Sequence, residues 1–337
     1  MTHDKLTKAI RVRMEESESV RQKLISLSAL DKSRKLLKKD GFIEIPVTEN
    51  YITNEFTLIE QDNPEYYLKE KSVFNDLKIP ESEKKFLPRG WQILGGIIIV
   101  TLDEKLMDRK AEVGKSLLSY YPRCKTVLLD RGISGKMRRP DREIIAGKDT
   151  TETVHKENGC LFKLDAKKVM FSQGNLAEKK RMSKLGKDEV VVDMFAGIGY
   201  FSIPMAVHAK PKKIISIEIN PVSFGYLKEN IALNGVGDII EPIAGDCVKV
   251  TPRMIANRVI MGYLDGQDYL EAGINALLPG GMLHYHEAVP EAIEWRPADR
   301  MIEVSRKIGR NIEITGRRRI KKYAPGVWHV VVDARVE

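Results

Sequence analysis

The sequence predicts an α/β protein whose main domain is a doubly wound, mostly parallel sheet ending in an antiparallel hairpin, with smaller α/β domains before it. Three observations predict this. From about residue 166, short β-branched runs alternate with helix-like stretches. The run VVDMFAGIGYF passes from strand through a glycine turn into a helix, and IISIEINP then closes the next strand on an acidic residue. The closing stretch, NIEITGRRRIKKYAPGVWHVVVDARV, reads as a pair of strands that can form an antiparallel hairpin at one edge of the sheet.

In order along the chain, residues 1–50 combine helical spacing (Val20, Leu24, Leu27, Leu30) with the strand-like FIEIPV, a small N-terminal α/β domain. Residues 51–90 are polar and rich in turn formers and are expected to be a linker or loosely packed segment. Residues 91–165 form a further α/β domain: WQILGGIIIVTL as a strand pair, an amphipathic helix stopped by Pro122, and KTVLLD as a strand. Residues 166–337 then give strands at 190–193, 213–218 and 239–244, RVIMGYL, and MLHYHEA after a Pro-Gly-Gly turn. Helices are expected at 200–210 and 221–234, in DYLEAGINALL and in ADRMIEVSRKIGR.

Composition excludes several classes. No apolar run approaches the roughly 18–20 residues that span a bilayer, and MTHDKLTKAIRVRMEESE lacks the apolar core of a secretory signal. A cytoplasmic protein is expected, with no membrane association and no obligate protein partner. Three cysteines, Cys124, Cys160 and Cys247, form no CxxC pair and are expected to pack rather than bridge or hold zinc. Lys plus Arg exceed Asp plus Glu by 56 − 47 = 9. The excess gathers in RKLLKK, GKMRRPDR, KKRMSK and GRRRIKK, which suits an extended phosphate-contacting surface.

Gly197 and Gly199 let the backbone turn tightly and a ligand approach the helix start. Glu218, at the end of the next strand, can accept both hydroxyls of a ribose. After the third strand, Asp246 can accept from an adenine amino group while the Cys247 N–H meets the ring. No GxGxxG follows, and Asp193 leads the turn, which suits a nucleoside cofactor carrying no phosphate and a cationic amino-acid end. This pattern resembles the class I S-adenosylmethionine-dependent transferases, with a Rossmann-like sheet.

The ordered series HKENGCLFKLDAKKVMFSQGNLAEKKRM, VVDMFAGIGYFSIP, NRVIMGYLDG, MLHYHEAVPE and YAPGVWHVVVD is similar to the archaeal and eukaryotic family that contains the tRNA guanine-37 N1-methyltransferase and tRNA wybutosine-synthesizing protein 2. The resemblance runs from about Trp91 to the C-terminus and extends to the small N-terminal domain. The methylating branch carries an Asn-Leu-Pro-type loop where this chain has Met261, Gly262 and Tyr263, and HYHE at 284–287 looks like the wybutosine branch. The resemblance therefore implies transfer of the 3-amino-3-carboxypropyl group of S-adenosylmethionine to C7 of 4-demethylwyosine at position 37 of phenylalanine tRNA, releasing methylthioadenosine. A guanine-37 N1-methyltransferase with an unusual loop and a tRNA-binding protein with a vestigial pocket remain as alternatives.

By the same resemblance the cofactor is held by Ser172, Lys179, Asp193, Phe195, Gly197, Gly199, Glu218, Ile219, Asp246, Cys247 and Met261. Lys179 offers a charge-assisted bond to a carboxylate. Near the reacting base the candidates are Tyr263, Gly262 and Glu178, although Glu178 reads as well as an i, i+3 partner of Arg181. Gly262 makes room for a tricyclic base; Tyr263 and Tyr285 suit either base stacking or the core. His284 and His286 share a strand face, but no carboxylate or cysteine completes a ligand set, so no metal is expected. The 91–165 domain supports the tRNA, with Arg138, Arg139, Arg317, Arg318 and Arg319 as candidate phosphate contacts.

Overall fold

A computed structural model describes residues 7–66, 73–135, 137–172 and 174–337. It divides into two compact units, residues 1–75 and 76–337. In the first, β1 (Lys8–Arg13), α1 (Ser17–Ser26), β2 (Leu37–Lys39), β3 (Phe42–Pro46) and β4 (Thr57–Glu60) form an antiparallel sheet in the order β2-β3-β1-β4. Ile10, Val12 and Ile45 from the sheet meet Val20 and Leu24 from α1. Helical spacing alone extends too far here. Ser28, in the left-handed region at φ 54°, ends the helix and leaves Leu27 57% exposed, while Leu30 turns to bridge Val47.

The stretch expected to be a linker is divided. Its first part supplies β4, which pairs along β1, and Tyr51 and Phe56 pack on the small core. A four-residue edge strand is too short for alternation to mark it.

The second unit opens with α2 (Glu81–Lys84), β5 (Gln92–Leu94), β6 (Ile97–Val100), α3 (Lys110–Tyr120), β7 (Thr126–Ser134) and β8 (Arg139–Gly147), a sheet in the order β5-β6-β7-β8 with β6 and β7 parallel. A hairpin of β9 (Glu152–Glu157) and β10 (Cys160–Asp165) follows. Its turn is Asn158-Gly159, both at positive φ (49° and 77°), the pair a tight hairpin demands. The first part of β8, RPDRE, and the first strand of this hairpin, ETVHKE, are polar.

The remaining elements are α4 (Leu176–Met182), β11 (Val190–Asp193), α5 (Ser202–His208), β12 (Lys213–Glu218), α6 (Pro221–Leu233), β13 (Ile240–Ala244), α7 (Cys247–Val250), β14 (Ala256–Met261), α8 (Leu270–Ala276), β15 (Leu277–Pro290), α9 (Arg296–Lys307), β16 (Ile312–Ala324) and β17 (Val327–Val336). The sheet runs β13-β12-β11-β14-β15-β17-β16, parallel through β15 and antiparallel beyond. Both its faces are covered. Val191, Ile203, Ile214 and Leu227 lie in one core, and Val192, Ile215, Ile274 and Met301 in the other, as strand alternation requires. The Pro-Gly-Gly turn expected before β15 is instead a register shift within that strand, opposite Ala256 and Arg258.

No break between compact units falls near 165. One core runs from Leu94, Ile97 and Leu128 through Phe162 to Ile198 and Ile260. Fully buried Asn230 on α6 fastens it: its Oδ1 accepts from Lys163 N at 2.6 Å, and its Nδ2 donates to Lys163 O at 3.1 Å and Ile198 O at 3.2 Å. Asn234 repeats the pattern on Leu161. Among the described residues, no helix is long and apolar enough to cross a membrane. Asn230→Ala leaves a buried N–H and two carbonyls short of a partner and is expected to lower stability by about 2–3 kcal/mol, read from the urea midpoint.

Candidate active site at the carboxyl edge of the sheet

A cavity of about 550 Å³ opens where β11, β12, β13 and β14 end, the edge at which open α/β sheets bind ligands. The structure brings eleven of the sequence candidates to its wall: Arg138, Ser172, Lys179, Phe195, Gly197, Glu218, Ile219, Asp246, Cys247, Gly262 and Tyr263.

The acidic end is built by the glycine turn. Gly197 (φ 60°) has no room for a side chain, because a Cβ would lie 2.4 Å from the Tyr200 ring, and its N–H donates to Glu218 Oε2 at 2.7 Å. Asn220 N donates to Oε1 of the same carboxylate at 2.6 Å. Burial pushes Glu218 above the usual carboxylate range, against these backbone donors. Asp246 borders the cavity and caps α7 through Val248 N at 3.1 Å.

Asp193 does not face the cavity. It is fully buried beneath the turn, accepting from Ser202 Oγ at 2.6 Å and Phe195 N at 3.4 Å, and desolvation raises it to about 6. Gly199 packs on Ile203, and Met261 lies in the core under Gly273. These three shape the turn and the strand end without lining the cavity.

The opposite end is cationic. Lys179, 1% exposed, donates to Glu157 Oε1 at 2.7 Å and Ser172 O at 2.8 Å, with its Nζ 4.4 Å from the Phe171 ring centroid. Burial lowers it. Lys321 donates to Ser172 Oγ at 3.1 Å, and burial and nearby Arg138 lower it as well. Arg138 and Arg142 complete this side, and Lys321, His329, Tyr269 and Asn220 join the wall without having been legible as site residues. Lys321 sat in a basic run that read as phosphate-binding surface. Between the two ends, Phe195 stands 5.4 Å from Tyr263 and 5.2 Å from Tyr269, ring centre to ring centre. A Cβ on Gly262 would meet the Phe201 ring at 2.8 Å.

Several candidates lie elsewhere. Glu178, 2% exposed, is held by three bonds from Arg181, so its role as helix partner is the one the geometry fills. Arg317 pairs with Glu294 at 2.7 Å and lies over Trp295; Arg319 pairs with Glu294 and Glu291. Arg318 pairs with Asp333. Arg139 is exposed at the start of β8, and Lys136 of the same basic cluster lies outside the described residues. Tyr285 is fully buried, its hydroxyl on Glu287 Oε2 at 2.8 Å, which settles it as core. His284 binds Asp333 Oδ1 at 2.6 Å, and among the described residues no group of side chains could hold a metal.

The Asp193 carboxyl gives a pH signature. Its folded value of about 6 lies above the ordinary 3.8, so its contribution to stability is complete below pH 4 and is lost as pH rises through 6. The cost above pH 7 is about 2–3 kcal/mol. Asp193→Asn is expected to melt higher than the parent at pH 7.5 in the ligand-free protein and to match it near pH 4, checked by thermal denaturation across that range.

Comparison with known proteins agrees with this geometry. The TRM5/TYW2 methyltransferase domain matches residues 153–314, the TYW2 N-terminal domain 71–150, and the tRNA methyltransferase 5 N-terminal domain 9–53. The tRNA(Phe) (4-demethylwyosine(37)-C(7)) aminocarboxypropyltransferase of Methanocaldococcus jannaschii is 46% identical over 251 residues, 73% of this chain and 98% of that protein. The tRNA (guanine(37)-N(1))-methyltransferase Trm5b of Pyrococcus abyssi is 34% identical over 98% of this chain and 99% of its own. Among solved structures, P. horikoshii TYW2 in complex with MeSAdo superposes with a TM-score of 0.70 at 38% identity, covering 78% of this chain and 97% of that one. With these matches spanning every part of the fold, the chain belongs to the TRM5/TYW2 family of S-adenosylmethionine-dependent tRNA-modifying enzymes.

Proposed function

We propose that this chain transfers the 3-amino-3-carboxypropyl group of S-adenosylmethionine to C7 of 4-demethylwyosine at position 37 of phenylalanine tRNA. The observation that carries the proposal is the 46% identity to an aminocarboxypropyltransferase of that name across nearly its whole length. The Met261-Gly262-Tyr263 strand end, which lacks the methylating branch's polar loop, supports it.

When bound, the sulfonium supplies an electrophilic carbon and a neutral thioether as leaving group. The residues do the rest. Glu218 and the Ile219 backbone suit the ribose and Asp246 with Cys247 the adenine, while Ser172, Lys179 and Lys321 suit the amino-acid carboxylate. Phe195, Tyr263 and Tyr269 form an apolar wall between these ends. Selection among the three carbons on sulfur then rests on which one the wall holds in line with the nucleophile, near 3–3.5 Å. On this reading Arg138, which also borders the cavity, and Arg139, which opens β8, contact phosphates of the tRNA.

A second reading has one observation in its favour. Trm5b of P. abyssi matches 98% of the chain, N-terminal unit included, whereas the aminocarboxypropyltransferase matches 73%. S-adenosylmethionine labelled in the methyl or in the carboxypropyl carbons, offered with tRNA carrying guanosine or 4-demethylwyosine, separates the readings. Carboxypropyl label on the tricyclic base is expected; methyl label on guanosine would establish the second reading instead. Arg138→Ala is expected to reduce the slope of log affinity for tRNA against log salt by about one unit. Arg317→Ala and Arg319→Ala, whose charges already answer Glu294, are expected to change it less.

A further inference from the structure

Beside the cavity lies a histidine pair that no sequence motif announced as one. His329 on β17 lines the cavity and is 3% exposed; His286 on β15 is fully buried behind it. His286 Nδ1 and His329 Nε2 are 3.0 Å apart, so one hydrogen bond joins the rings. The outer nitrogens, His329 Nδ1 and His286 Nε2, are buried without a hydrogen-bond partner among the described residues. A buried polar atom left this way is costly, and on a cavity wall it is a place for a ligand's hydrogen. His286 also lies near Gly262, proposed above to stand near the base: the Phe201 ring centre is 5.4 Å from that of His286, and the ring edge is against Gly262. Glu218 and Asp246 lie at the ends of β12 and β13.

Resting on the aminocarboxypropyl reading above, we infer that His329 Nδ1 takes the proton that C7 of the base must lose, with His286 holding the ring in the accepting tautomer. C7 forms its bond to the γ-carbon as the carbon–sulfur bond breaks and that electron pair returns to sulfur. The alkylated ring is then cationic; its C7–H bond gives its pair back to the ring, and the proton goes to His329 Nδ1. Nε2–H of the resulting imidazolium remains donated to His286 Nδ1. Burial and Lys321, its partner across β16–β17, push His329 down to about 4, so the ring enters the reaction neutral. Burial, with His329, His284, Arg181 and Arg318 around it, keeps His286 neutral also. The C7–H of a cationic ring is acidic enough for a base weaker than free imidazole, and a pair that is neutral at rest does not repel the ring as it becomes cationic.

The test uses the full chain with carboxypropyl-labelled S-adenosylmethionine and tRNA bearing 4-demethylwyosine, protonated or deuterated at C7. His329→Gly is expected to lose about 100-fold or more in turnover. It should keep its affinity for S-adenosylmethionine by calorimetry, show a primary isotope effect that the parent lacks, and regain activity with added imidazole. His329→Asn, similar in size, carries the same expectations apart from rescue should the glycine variant not fold. In the protein alone, nitrogen NMR is expected to find the His329 proton on Nε2. Turnover near that of the parent, or a loss with neither isotope effect nor rescue, overturns the inference and leaves the transfer reading intact. Absence of carboxypropyl transfer by the parent itself would overturn that reading and the inference with it.

Discussion

A carboxylate with no exposure to water, Asp193, organises the site. It stands where β11 ends, takes one hydrogen bond from the Ser202 hydroxyl on α5 and one from the Phe195 amide, and so ties strand, turn and helix together. The turn it anchors sends the Gly197 N–H to Glu218, which joins β11 to β12 at the level of the cavity floor. Burying that charge costs stability at neutral pH, and the two hydrogen bonds that Asp193 accepts offset the cost only in part.

The cavity is electrically divided. Glu218 and Asp246 stand at the ends of β12 and β13, and Lys179 and Lys321 both donate to Ser172; Lys179 is also paired with Glu157, and Arg142 with Asp130 of the same wall. The same frame serves two chemistries in this family, as the names of its members show. At the end of β14, Gly262 admits the Phe201 ring, which any side chain there would displace. On the proposed function, choice of carbon is a matter of position rather than of cofactor electronics.

Charge neutralisation within the fold reassigns several basic residues. The arginines of β16 looked like a phosphate-binding run, yet Arg317 and Arg319 answer Glu294, and Arg318 answers Asp333. Glu294 and Glu291 follow β15, distant in sequence from β16. An exposed lysine or arginine cluster therefore cannot be counted as a polyanion site until the acids folded against it are known. Lys321, from the same run, turns inward to Ser172.

Local signals carried much of the fold. The parallel strands and their helices were legible because strand alternation and helical spacing are properties of neighbouring residues, as was the turn at Gly197, where the backbone itself demands glycine. Glu218 and Asp246 were legible because each stands at or just past a strand end, and Ser172 through the resemblance to the family. The β8 strand, the β9–β10 hairpin and the end of α1 were not, since the first opens with the polar RPDRE, the first strand of the hairpin is the polar ETVHKE, and the helix ends on a left-handed serine. Identity of residue and likelihood of strand or helix are set by the sequence itself; which buried charges meet is not. Lys179 with Glu157, Glu178 with Arg181, Asn230 with β10 and His286 with His329 bring together groups 22, 3, 67 and 43 residues apart, and of these only the i, i+3 pair follows from chain geometry alone. The others exist because the sheet closes one core around them, and that closure is a tertiary fact.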